Sequence, residues 1–272
     1  MLPDRGIGRT VMDGVREVGP ALRERIGEAE WALRVQLAAC YRIIDHLGWT
    51  ELIWSHTTVR VPGPEHHFLI NPYGLRYDEV NASNLVKIDL DGNPVGPTAH
   101  LVNPAGFVIH SAIHRAREDA RCVMHTHTVA GMAVAAQAQG LLPVSMYALG
   151  FDGEVAYHDF EGPSLELGER ERLAANLGDR NLLVLRTHGL LTCGRSIPEA
   201  FVYMYRLQRA CEIQLAAQAG GAPLIVPPDA VRRASVENTR QFLATGGVAT
   251  FGELEFDALV RLMDRKDPSF RS

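Results

Sequence analysis

The sequence predicts an α/β domain, and three observations support this fold class. Residues 28–47 carry apolar side chains at helical spacing. Several short apolar segments follow, each bounded by glycine, proline or asparagine, which is typical of strands joined by turns. A second long helical pattern covers residues 197–217. Two long helices therefore bracket a set of short strands along the chain.

The first half of the chain is predicted to contain a helix, three strands and a second helix. The helix over 28–47 ends at Gly48, a residue type that commonly caps helices. The turns between the next segments favour antiparallel pairing, and these segments are 52–61, 67–71 and 85–90. Asn103 can cap, and Pro104 can open, a further helix that runs to about Arg117.

The second half alternates strands and helices and then changes in composition. The predicted elements are a buried strand over 121–125, an alanine-rich helix over 126–138, a loop and short strand over 150–160, a helix over 165–177, apolar strands over 181–186 and 190–193, and the helix over 197–217. Glycine and proline become frequent from Gln218, and weaker helical patterns follow at 231–243 and 251–263.

We therefore divide the chain into three parts. Residues 1–27 form an N-terminal arm, residues 28–217 form the α/β domain, and residues 218–272 form a C-terminal extension that serves as an oligomer contact or a lid.

Composition limits the classes of partner. The formal net charge is −5 and no run of lysine or arginine occurs, so nucleic acid and anionic membranes are not expected partners. No apolar signal sequence or membrane-spanning stretch is present, which predicts a cytoplasmic protein. The four cysteines are widely spaced in apolar contexts and are predicted to be reduced core residues. A small molecule is the expected partner.

Three of the eleven histidines are candidate metal ligands. His125 and His127 lie two residues apart at the end of an apolar strand, so their imidazoles share one face of a sheet. His188 ends a second apolar strand and precedes Gly189, which permits close approach of backbone or ligand. Three histidines leave open coordination positions, as in catalytic sites. The spacing of His114 is that of a surface or helix residue.

The wording around these histidines resembles the class II aldolase/adducin family over roughly residues 30–217. The segments that carry the resemblance are FLINPYGLRYDEVNASNLVKIDLDGN (68–93), HSAIHRAREDARCVMHTHTVAG (110–131), GEVAYHDF (153–160) and LRTHGLLTCG (185–194). Adducin heads are closest in wording, so the chain is identified as an adducin-head-like bacterial member.

The resemblance implies a three-layer domain with a central, mainly antiparallel sheet flanked by helices. It also implies that His125, His127 and His188 bind a divalent metal, with zinc expected first and manganese or iron as alternatives. In the family's sugar-phosphate enzymes this metal polarises a carbonyl or stabilises an enediolate. Members are commonly symmetric tetramers, so a homotetramer is expected here.

The sequence departs from the family's sugar-phosphate enzymes where these carry a catalytic glutamate and two phosphate-binding serines. Here that stretch reads Pro104-Ala105-Gly106, so the acid is missing at Gly106. An unphosphorylated acid is therefore the expected substrate. Its predicted binding residues are Arg60, whose planar guanidinium suits a carboxylate, with Asn71, Gly74 and Gly106.

Another group must then move protons, and His56 and Tyr147 are the predicted catalytic pair. His110, Asp152 and His158 are further titratable candidates. The predicted function is a metal-dependent lyase that cleaves a carbon–carbon bond of a small hydroxy or oxo carboxylic acid, by decarboxylation or by aldol-type cleavage.

Two alternatives remain open at this point. One is a non-haem iron oxygenase on the same scaffold, because an open site with few protein ligands can also bind oxygen. The other is a non-catalytic, adducin-like interaction module. The retained histidines favour an enzyme.

Overall fold

The computed structural model describes the backbone of residues 7–162, 168–244 and 250–272, and the side chains of these residues except 7–20, 104–107 and 243–244. The strands in these ranges are β1 (His56–Arg60), β2 (Phe68–Ile70), β3 (Val86–Ile88), β4 (Cys122–Thr126), β5 (Val155–His158), β6 (Leu182–Leu185) and β7 (Gly189–Gly194). The α-helices are α1 (Ile7–His46), α2 (Pro104–Ala116), α3 (Val129–Ala135), α4 (Met146–Leu149), α5 (Glu169–Leu177), α6 (Ile197–Ala219), α7 (Asp229–Ala244) and α8 (Glu253–Lys266). Short 3-10 turns cover Tyr77–Glu79 and Pro268–Arg271.

The strands form a single sheet in the order β3-β2-β1-β4-β7-β6-β5. Adjacent strands pair antiparallel except β5 and β6, which are parallel. The predicted, mainly antiparallel sheet is therefore confirmed. Strands β4 and β7 lie near its middle, and all of their residues are buried.

The sheet is covered by helices on both faces, which confirms the predicted three layers. Alternate residues of a strand point to opposite faces, and β4 shows this directly. Met124 joins the core cluster that contains α1, α6 and α8, whereas Val123 joins the cluster that contains α2 and α5. His125 therefore shares the α2 face with Val123.

The first helix begins earlier than predicted. Helix α1 starts at Ile7, inside the predicted N-terminal arm, and it is interrupted at Gly27. Gly27 has a positive φ of 78°, a conformation that residues other than glycine rarely adopt. The segment predicted from residue 28 is thus the second half of a broken helix.

The helix predicted over 126–138 is shorter in the structure. Helix α3 begins only at Val129, because the Thr128 side chain accepts a hydrogen bond from the Gly131 N–H at 3.2 Å and caps the helix. His127 therefore lies in the short link between β4 and α3. The start of the helix predicted at 165 falls in residues 163–167, outside the described ranges.

Part of the predicted C-terminal extension belongs to the main core. Phe256 and Met263 of α8, and Phe270 after it, are buried in the same cluster as α1 and α6. Helix α7, in contrast, is largely exposed, with only Val236 buried among its described side chains. The predicted role of this region as a lid or oligomer contact stays a prediction, and it now concerns α7. Among the described helices, none combines the length and the apolar character needed to cross a membrane.

Candidate metal centre

The three predicted ligands converge on one point. The Nε2 atom of His125 lies 2.6 Å from Nε2 of His127 and 3.3 Å from Nε2 of His188, and the latter two atoms are 3.0 Å apart. His125 is buried, whereas His127 and His188 are partly exposed. The centre is therefore open to solvent on one side.

The sheet backbone sets this geometry. His125 ends β4, and His188 lies in the turn that joins β6 to β7, the strand that pairs with β4. Gly189 follows this turn, and a Cβ atom on it would lie 2.4 Å from the Thr126 carbonyl oxygen and 3.3 Å from Cε1 of His125. Only glycine lets the two strands approach closely enough to bring His188 to the other ligands.

Hydrogen bonds orient two of the imidazoles. The Nδ1–H of His125 donates to the Leu190 carbonyl oxygen at 2.8 Å, and the Nδ1–H of His127 donates to Oε2 of Glu51 at 2.8 Å. A neutral imidazole with its hydrogen on Nδ1 presents a lone pair on Nε2. Partners of this kind typically orient metal-bound histidines. Glu51 is absent from the sequence prediction, because it lies 76 residues before His127 in a segment without a recognisable pattern.

Burial keeps these imidazoles neutral. It lowers the pKa of His125 well below its usual value, and the neighbouring His127 and His188 lower it further. Burial and His127 lower the pKa of His188 to about 4. Because neutral Nε2 lone pairs facing one another at these distances repel, a shared cation or proton is needed between them. The donor set therefore fits a divalent metal with open coordination positions.

His56 lies next to the centre, as predicted. It is directly opposite His125 in the β1–β4 pairing, and the two ring centroids are 5.4 Å apart. On its other side, the His56 ring lies 4.2 Å from that of His110. His56 is thus the predicted proton-transfer residue that the structure brings to the ligands.

Tyr147 is in a different place. It lies on α4 and lines an apolar groove together with Phe201, Arg206 and Phe242. Helix α4 contacts α6 and α7, and within the described part of the chain Tyr147 forms no ring contact or hydrogen bond with the three ligands. Pairing of His56 with Tyr147 at one site is therefore not supported within a single chain.

A buried hydrogen-bonded chain lies beyond His56. The Nδ1–H of His114 donates to the Ala120 carbonyl oxygen at 2.9 Å, which leaves its Nε2 to accept from the Thr58 hydroxyl at 2.8 Å. The Thr58 oxygen also lies 2.7 Å from Nδ1 of His110. Burial lowers the pKa of His110 well below its usual value and that of His114 to about 3. His114 is thus a buried structural residue of α2 and not a surface one.

Arg60 requires a correction. It ends β1 four residues after His56, which places it roughly 13 Å away along the strand. Its guanidinium donates to the His114 carbonyl oxygen at 2.5 Å and lies over the Phe68 ring. The predicted contact between Arg60 and a carboxylate at the metal is therefore not supported by this placement.

The other predicted substrate-binding residues lie in two places. Asn71 is buried after β2, and its Oδ1 accepts from the Tyr41 hydroxyl at 3.0 Å. Gly74 has a positive φ of 102°, and the space beside its Cα is open. Gly106 lies in the first turn of α2, where side chains fall outside the described ones.

Comparison with known proteins agrees with the fold and the histidines. The model of the "Class II Aldolase and Adducin N-terminal domain" matches residues 35–215. A relative from Pseudomonas aeruginosa that carries an aldolase class 2 name is 44% identical over 263 residues, which cover 96% of this chain and 100% of that protein. Rat alpha-adducin is 45% identical over 247 residues, which cover 87% of this chain but only 34% of alpha-adducin.

A solved structure is also similar along nearly the whole chain. It is that of an aldolase II superfamily protein from Pseudomonas syringae, with 47% identity and a TM-score of 0.85 over 92% of this chain and 99% of that one.

Proposed function

The chain belongs to the class II aldolase and adducin family, and on that premise we propose that it is a metal-dependent lyase. Its substrate is a small, unphosphorylated hydroxy or oxo carboxylic acid, and it cleaves a carbon–carbon bond by decarboxylation or by aldol-type cleavage. The observation that carries this proposal is the convergence of three Nε2 atoms within 3.3 Å of one another.

His125, His127 and His188 would hold the divalent ion, with zinc first and manganese or iron as alternatives. Such an ion acts as a Lewis acid that stabilises the electron pair left when the carbon–carbon bond breaks. The hydrogen bonds from His125 to Leu190 and from His127 to Glu51 support this role, because they keep both Nε2 lone pairs directed inward.

His56 is the group of this chain that holds or releases a proton beside the ligands. Its position opposite His125 supports this assignment. The chain has no carboxylate at Gly106 to do the same. Decarboxylation suits such a site, because loss of carbon dioxide requires no base to begin and only a proton donor to finish.

The surroundings of the centre favour an unphosphorylated substrate. No lysine or arginine in the described part of the chain contacts the three ligands, so a phosphate dianion would find no cation other than the metal. Two exposed aromatic side chains lie nearby instead. Phe160 is 55% exposed with its ring 6.3 Å from that of His188, and Trp54 is 49% exposed two residues before His56. These side chains can contact the apolar part of a small acid.

Metal analysis tests the centre. Protein purified without added metal should contain one divalent ion per chain by elemental analysis, and the His125→Ala and His188→Ala variants should lose it. The matched control is His46→Ala, which removes an exposed histidine on α1. Metal retained in both ligand variants would reject the site.

A substrate panel then tests the reaction. Metal-loaded protein is incubated with hydroxy and oxo acids, with and without oxygen, and carbon dioxide and aldehydes are measured. Release that is independent of oxygen supports the lyase. Strict dependence on oxygen would instead identify the oxygenase alternative.

The adducin relatives support a second candidate, a non-catalytic interaction module. The 45% identity to rat alpha-adducin is as high as that to the bacterial relative. Absence of both metal and turnover would favour this candidate over the lyase.

We further propose that the protein is a cytoplasmic homotetramer that binds neither nucleic acid nor membranes. The family resemblance supports the oligomer, and the four free, buried cysteines are consistent with a reducing compartment. Light scattering coupled to size-exclusion chromatography measures the mass, and a monomer at micromolar concentration would contradict the tetramer.

A further inference from the structure

An apolar groove of about 690 Å³ lies among α4, α6, α7 and α8, separate from the metal centre. None of the three proposed ligands lines it. Its walls are mostly apolar and include Leu47, Phe201, Phe242 and Leu259. This size and composition are those of a small-molecule site, in which a few polar groups orient a mainly apolar ligand.

The groove contains one guanidinium without an anionic partner. Arg206 of α6 lines it and lies over the Phe151 ring, with its Cζ atom 5.1 Å from the ring centroid. Within the described part of the chain Arg206 forms no hydrogen bond or ion pair, and burial lowers its pKa. Glu255 lines the same groove and attracts Arg206, but the two side chains form no ion pair. By contrast, Arg209, less than one turn further along α6, pairs with Glu212 at 2.7 Å.

A partly buried cation without an anion is unfavourable, because it loses hydration without gaining a counter-charge. We propose that the groove binds a small organic acid, whose apolar body packs between the helices and whose carboxylate pairs with Arg206. The Tyr147 hydroxyl and the Asn238 side chain are further polar groups of the lining. The structure thus assigns Tyr147 to this groove and not to the metal centre.

Helix α7 forms one wall of the groove and is weakly attached. Its ion pairs to the domain are Arg232 with Asp152 at 3.3 Å and Arg240 with Glu154 at 2.6 Å. Such pairs near the surface contribute little stability, and most of α7 is exposed. A ligand can therefore enter by a small movement of α7.

Calorimetric titration of the full chain with 4-phenylbutyrate tests the proposal. The neutral isostere 4-phenylbutanamide, which lacks the charge, should bind at least tenfold more weakly. Octanoate is the second arm and shows whether an aromatic or an aliphatic body fits better. Absence of binding by both acids, or equal binding of the acid and the amide, would overturn the proposal.

Variants locate the carboxylate. Arg206→Gln should weaken binding of the preferred acid roughly ten- to a hundredfold, because a charged hydrogen bond is lost, and Arg206→Lys should weaken it less. Arg209→Gln is the control on the same helix and should bind as the wild type does. Affinity unchanged in Arg206→Gln would refute the assignment. If Arg206→Gln does not fold, Phe242→Asn at the exposed rim should weaken the apolar contact instead.

Two measurements separate this proposal from others. The His125→Ala variant should bind the acid with wild-type affinity, and loss of binding there would place the acid on the metal centre. A protein that binds neither acid, but whose mass falls in Arg206→Gln, would show that a second copy of the chain covers the groove. Neither result depends on whether the lyase activity is found.

Discussion

The burial of His114 leads to a quantitative prediction for acid unfolding. Burial first, and then the charge on Arg60, lower its pKa from 6.5 to about 3 in the folded chain. The unfolded chain therefore takes up a proton near pH 6.5, whereas the folded chain takes it up only near pH 3. Stability from the neutral side chain is fully present above pH 6.5 and is lost as the pH falls through this window. Between pH 8 and pH 4.5 this side chain lowers the free energy of unfolding by about 2.7 kcal/mol.

The perturbation is His114→Gln. A glutamine amide can donate to the Ala120 carbonyl oxygen and accept from the Thr58 hydroxyl, as His114 does, but it does not titrate. Urea unfolding of metal-free protein, followed by far-ultraviolet circular dichroism at pH 8 and pH 4.5, measures the effect. The wild type should lose about 2.7 kcal/mol more than the variant over this interval. Equal losses would refute the reasoning, and His46→Gln controls for removal of an exposed histidine.

Three further predictions concern the metal centre and the core. Glu51→Gln should weaken metal affinity roughly ten- to a hundredfold by losing the charged partner of His127, measured by competition with a chelator, with exposed Glu65→Gln as the control. Gly189→Ala should lower both metal content and the unfolding midpoint, since its Cβ would lie 2.4 Å from a backbone oxygen of β4; an unchanged metal content would contradict this. Phe256→Ala should destabilise the chain by about 3–5 kcal/mol in urea unfolding, whereas Leu254→Ala, 66% exposed on the same helix, should cost far less.

Much of the fold could be predicted from the sequence, because hydrophobic periodicity reflects which face of each element is buried. The order of strands and helices follows from it, as does the antiparallel pairing suggested by the turns. Element ends were less predictable where a side chain decides them. The cap formed by Thr128 shortens α3, and the break at Gly27 joins two helices that the pattern treats separately.

The candidate site was predictable only in part. The period of two in a strand predicts that His125 and His127 share a face, and the same geometry excludes Arg60, since a residue four positions from His56 in one strand lies roughly 13 Å away. Glu51 could not be predicted, because its contact with His127 depends on how a distant loop packs. The placement of Tyr147 likewise depends on the packing of α4 against α6.

The two sources of ligand orientation can be separated by experiment. The sheet holds His125, because its Nδ1–H donates to a backbone oxygen of β7, whereas a loop side chain, Glu51, holds His127. Glu51→Gln should therefore reduce metal affinity without lowering the stability of the metal-free chain. Gly189→Ala disturbs the β4–β7 pairing itself and should reduce both. If both variants lose stability equally without metal, Glu51 supports the fold and does not orient the ligand.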